Sequence, residues 1–111
     1  MRDIPRLESP DPSLTPVVAY FNNIADEDFV AVVRNLVDRE EINIGPCECE
    51  FPDQTGADPD SQFKGVRFWL RPDSVIISEN EFRTFTRAAC DAQIERWPET
   101  GPQISELLKR L

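Results

Sequence analysis

Hydrophobic and polar positions alternate most clearly over Lys64 to Leu70, where Val66, Phe68 and Leu70 point one way and Arg67 and Trp69 the other. A half-buried strand has this period. Pro72 and Asp73 then supply turn chemistry, so Val75 to Ile77 is expected to return antiparallel to it. Ser78-Glu79-Asn80-Glu81 has the form of a capping box, and behind it Phe82, Phe85, Ala89 and Ala92 recur at helical spacing until Pro98. The apolar stripe of that helix can lie on the strand face carrying Val66, Phe68 and Leu70. This strand, strand, helix unit is the expected core.

Before it, Cys47 to Phe51 alternates again, with Cys47, Cys49 and Phe51 on one face and Glu48 and Glu50 on the other. Laid beside the Lys64 to Leu70 strand, it sends both glutamates to the side of Arg67 and Trp69. Two helices are expected further upstream. Thr15 caps and Pro16 opens the first, which buries Val17, Tyr20, Phe21 and Ile24. Asp26 caps the second, with Glu27 and Asp28 in its first turn and Phe29, Val33, Leu36 and Val37 as its inward stripe. At the other end, Thr100-Gly101-Pro102-Gln103 resembles a further capping box, opening a last helix with Ile104, Leu107, Leu108 and Leu111 inward.

The order is ααβββαα: an α+β fold with a small antiparallel three-stranded sheet flanked by helices, leaving one sheet face open. Residues 1–14 read as a Pro-rich arm with little fixed structure and residues 15–111 as a single domain. Pro52 to Gln62 is a polar loop.

Charge narrows the function. The net charge is −9, which argues against direct contact with nucleic acid or an anionic membrane and favours a basic partner, although acidity also serves solubility alone. No apolar run reaches the roughly 18 residues of a membrane span, and the first residues lack a signal peptide's basic and apolar regions. A cytoplasmic location is expected, with Cys47, Cys49 and Cys90 as reduced thiols.

Catalysis finds little support. The chain has no histidine, which removes the usual general base and the Ser-His and Cys-His nucleophile pairs. No glycine pattern cradles a phosphate, and three cysteines without histidine do not close a zinc site, so neither metal nor cofactor is expected. Glu48 and Glu50 could serve as an acid and base pair, but alternate acids on a strand are usually its wet face. What stands out is the local acidity: Glu40, Glu41, Glu48, Glu50, Asp53, Asp58 and Asp60 lie between Arg39 and Lys64 with no intervening base. Such a run fits either an ordinary solvated loop and strand face or a docking surface for a basic protein with Trp69 exposed as its aromatic anchor; Trp69 can equally lie beneath the N-terminal helices, and helices on both faces would shrink the docking surface to the acidic loop.

GVRFWL at Gly65 to Leu70, VIISENEF at Val75 to Phe82, RAAC at Arg87 to Cys90, WPE at Trp97 to Glu99 and the final ISELLKRL together resemble the immunity proteins of contact-dependent growth inhibition (CDI) systems, in particular those paired with ribonuclease toxins. The resemblance covers Phe63 to Leu111. It implies a small cytosolic protein that binds the C-terminal toxin domain delivered by a neighbouring bacterium and blocks its active site. The expected toxin contacts are Glu48, Glu50, Asp53, Asp58 and Asp60, flanked by Arg67 and Trp69, with a monomer in a 1:1 complex. Two other readings are an acidic adaptor for a basic cellular partner and, more remotely, a carboxylate hydrolase using Glu48 and Glu50.

Overall fold

The computed structural model describes residues 6–52 and 63–111. Four helices and three strands run in the order α1 (Thr15–Asn22), α2 (Phe29–Val37), β1 (Cys47–Glu50), β2 (Val66–Leu70), β3 (Asp73–Ile77), α3 (Glu79–Arg96) and α4 (Gly101–Leu108). The expected α+β class and element order hold. The strands form one antiparallel sheet with β2 in the centre.

Period-two alternation decides the two faces of that sheet. Cys47, Cys49, Val66, Phe68 and Ile77 are buried on the inner face. Tyr20 and Phe21 of α1 and Phe82 of α3 meet Phe68 there, with ring centroids 5.3, 6.0 and 6.4 Å away. Phe51 lies edge-on to Phe82 at 5.8 Å, so a continuous aromatic cluster joins the sheet to both helices. The Tyr20 hydroxyl reaches the Ile42 carbonyl at 2.8 Å and is thereby satisfied inside this cluster.

The β2 to β3 hairpin turns one residue earlier than expected. Leu70 pairs with Asp73, which leaves Arg71 and Pro72 as the two turn residues, joined by a cis peptide bond. Gly65 enters β2 at φ +97°, where an added Cβ would overlap the Ile77 carbonyl oxygen, so this position requires glycine.

Helix ends follow local chemistry, with three corrections. The Ser78 and Glu81 capping box forms as expected, at 3.0 and 2.8 Å. Thr15 does not cap α1: Asp11 accepts from the Ser13 N–H and starts a 3-10 turn at Pro12–Leu14 that runs directly into α1, placing Thr15 inside the helical path. Asp26 does not cap α2 either, because its carboxylate is drawn to Arg6, Gln93 and Arg96. The Thr100 hydroxyl donates to the Trp97 carbonyl instead of accepting from the start of α4. The inward stripe of α3 is also rotated, running through Phe82, Thr86, Ala89, Cys90 and Gln93 with Phe85 and Ala92 half-buried. Gln93 takes a core position because a buried polar partner awaits it.

That partner comes from the N-terminal arm. The Arg6 side chain is only 3% exposed. Its guanidinium donates to Gln93 Oε1 (2.6 Å), the Phe21 carbonyl (2.6 Å) and Asp26 Oδ1 (2.9 Å), and it lies 4.6 Å from the Phe29 ring centroid. Leu7 is buried too, and its N–H and C=O both bond the Asn22 amide. The expectation of a loose arm is therefore corrected at Arg6 and Leu7, where buried donors and acceptors find each other in pairs.

At its other end α2 closes with Arg39 in the left-handed region at φ 62°, where the Arg39 N–H bonds Leu36 and the Glu40 N–H bonds Asn35. The Arg39 side chain forks onto Glu79 at 3.1 and 2.6 Å and stacks over Phe51 and Phe82, tying α2 to the start of α3.

Candidate functional site

The outer face of the sheet is built by the same alternation that fills the core. Register places Glu50 opposite Arg67 and Glu48 opposite Trp69. Glu48, Glu50, Arg67 and Trp69 thus come together as expected. Trp69 is half-buried on this outer face, on the opposite side of the sheet from Phe68, which packs against α1. Asp53, Asp58 and Asp60 lie outside the described residues.

The face is an ordered column. Arg67 stacks on Phe63 (4.5 Å to the ring centroid) and flanks Trp69 at 5.3 Å. Arg71 stacks on Trp69 at 4.3 Å. Glu50 Oε1 accepts both from the Trp69 indole N–H at 3.0 Å and from Arg67 at 3.3 Å, while Glu48 accepts from Arg71 Nε at 3.0 Å. Donating this hydrogen bond to Glu48 raises the Arg71 pKa above its ordinary value. Ile76 of β3 lies 45% exposed on the same side.

Two glutamates meet two arginines here, so this part of the face is balanced in charge. The acidity of the chain lies elsewhere among the described residues, for example at the exposed Glu40 and Glu41 that precede β1. Sequence reasoning missed Phe63, Arg71 and Ile76. Arg71 could have been found by extending the outward series Arg67, Trp69 by one further step of two.

A second surface feature lies at the far end of α3. Asp26, Glu27, Gln93, Trp97, Glu99 and Thr100 line a cleft of about 280 Å³, and Trp97 is 42% exposed beside it. Burial would raise the Asp26 carboxyl, but the Gln93 hydrogen bond and the charges of Arg6 and Arg96 outweigh it and hold the pKa below the ordinary value.

The thiols are placed for packing. Cys47, Cys49 and Cys90 are all buried, and burial pushes the Cys90 thiol up to about 12 and Cys49 higher still. Neither is a nucleophile near neutral pH. Among the described residues no group of three His, Cys, Asp or Glu side chains could hold a metal ion, and no helix is long and apolar enough to cross a membrane.

Comparison with curated proteins finds no match. The model of the CDI immunity protein family matches residues 13–108, and so takes in α1, α2 and β1 as well as the segment from Phe63 onward that carries the visible resemblance. The chain belongs to the CDI immunity protein family.

Proposed function

We propose that this protein protects its cell by binding the C-terminal domain of a CDI toxin with ribonuclease activity, seating the outer sheet face and the adjoining acidic loop in the toxin's basic active-site cleft. The family match over residues 13–108 supports the toxin-neutralising, non-catalytic part of this reading, since that is the role that membership in an immunity family implies. The complex is a cytoplasmic 1:1 pair, formed without cofactor or metal. Glu48, Glu50, Asp53, Asp58 and Asp60 are the contact acids, and Arg67 and Trp69 are further contacts.

Physical chemistry supports the match of surfaces. A ribonuclease must attract a polyanion, so its cleft is basic, and an inhibitor gains by placing carboxylates where phosphates would lie. The pairing of Glu48 with Arg71 and Glu50 with Arg67 is compatible with that role. The Glu48–Arg71 pair is the more exposed of the two, and ion pairs at a wet surface contribute little, so a toxin lysine or arginine can join Glu48 beside Arg71 at small cost, whereas Glu50 is mostly covered by Arg67 and Trp69. Trp69 and the arginines are residue types that dominate binding energy, and here they are already ordered.

Co-expression tests the reading. Cells producing the toxin domain encoded immediately upstream should grow with intact RNA when this protein is present and lose both without it. An adaptor would leave them unprotected. Protection with RNA still degraded would overturn the ribonuclease assignment.

A further inference from the structure

We infer that Arg71 is a specificity-determining contact, offering a preset guanidinium edge to a carboxylate of the toxin. The inference rests on the toxin-binding reading and adds to it a contact of opposite sign to the acids.

Arg71 is held on two sides and open on the third. Its Nε donates to Glu48 at 3.0 Å, and its plane lies 4.3 Å from the Trp69 ring centroid. The indole is itself fixed, because its N–H donates to Glu50 at 3.0 Å. Glu50 is fixed in turn by Arg67, which rests on Phe63. The orientation of the Arg71 plane is therefore set before any partner arrives.

A guanidinium has five N–H donors, and Arg71 uses one of them. Its two terminal nitrogens have no partner among the described residues, and the side chain is 61% exposed. They present the planar fork that matches two oxygens of a carboxylate. Phosphate has the same fork geometry, but Glu48 and Glu50 stand beside Arg71 and repel a polyanion, which leaves a single protein carboxylate as the fitting occupant.

Such a contact would fix register. A purely acidic surface attracts any basic cleft, whereas a cation set among acids requires a partner with a carboxylate at one matching position. Mixed signs separate cognate from non-cognate toxins better than charge alone.

The test is kinetic, on the purified protein and its cognate toxin domain. Arg71→Ala should raise the dissociation rate at least tenfold, and Arg71→Lys, which keeps the charge and loses the fork, should recover less than half of that loss on a logarithmic scale. Circular dichroism confirms that both variants fold. Among toxin Asp→Ala and Glu→Ala variants, one should lose affinity by a factor that is not multiplied further by Arg71→Ala.

The opposite sign overturns the inference. If Arg71 only neutralises Glu48, its removal makes the face more negative, and a basic toxin binds Arg71→Ala as well as or tighter than wild type. Full recovery by Arg71→Lys, or independent effects for every toxin carboxylate, also overturns it. Wild-type protein that fails to bind the toxin domain removes the functional reading and this one together, whereas wild-type binding with Arg71→Ala undiminished removes this one alone.

Discussion

Replacing Arg6 by alanine should unfold this protein far more readily than its place near the chain terminus suggests. The guanidinium donates to Gln93, to the Phe21 carbonyl and to Asp26, all within 2.9 Å, from a side chain 3% exposed. Alanine leaves the Phe21 carbonyl and Gln93 Oε1 without this donor in the interior, while Asp26 keeps Gln93 Nε2 and Arg96 and is partly wet. Removing one member of a buried ion pair costs about 3 to 5 kcal/mol, and an orphaned buried acceptor about 1 to 3. These losses overlap, and the solvent at Asp26 reduces its share, so the net expectation is about 3 to 4 kcal/mol. At roughly 4 °C per kcal/mol for a domain of this size, the thermal midpoint should fall by about 12 to 16 °C. Urea unfolding and differential scanning calorimetry measure it directly, with Glu8→Ala, at a neighbouring exposed position, expected within about 0.5 kcal/mol of wild type. A loss below about 1 kcal/mol for Arg6→Ala would refute the view that the arm is part of the folded unit.

Asp26 gives a pH signature. A carboxyl held below its ordinary value binds fewer protons folded than unfolded, so its contribution is complete above about pH 4 and drains away as pH falls towards the lowered value; Asp26→Asn should remove that part of the acid sensitivity in urea titrations at stepped pH. None of the three cysteines should react with a thiol-alkylating reagent at pH 8 in the native state, and all should after denaturation, as mass spectrometry can count. Gly65→Ala should cost about 2 kcal/mol or more by urea unfolding, because it forces an L side chain to φ +97° against the Ile77 carbonyl. Association with the toxin domain should slow steeply as salt rises, and a rate that stays flat with ionic strength would rule out steering by the acidic run.

Local pattern revealed the framework and the outward face. Alternation in Cys47 to Phe51 and Lys64 to Leu70 placed Glu48, Glu50, Arg67 and Trp69 together, and the Ser78 to Glu81 box located α3, since each depends on neighbours within a few residues. Interactions between distant residues stayed hidden. Asp26 looked like a cap because its local context permits one, yet its partners Arg6 and Gln93 lie 20 and 67 residues away. Gln93 falls on the buried side of α3 for the same reason, where a search for apolar residues passes over it. The charge balance of the outer face was equally concealed: an acidic run counted along the chain does not show that Arg67 and Arg71 cross over from the next strand and its turn to meet it.

Toxin capture through the outer sheet face can be tested by removing the side chains that build it. Isothermal titration of the cognate toxin domain with wild type and with a folded Glu48→Ala, Glu50→Ala, Trp69→Ala triple variant tests it most directly. Wild type should bind tightly at 1:1, and the variant should lose at least about 3 kcal/mol, three central contacts being worth about 1 to 4 kcal/mol each. Equal affinity of the two proteins would place the toxin on some other surface.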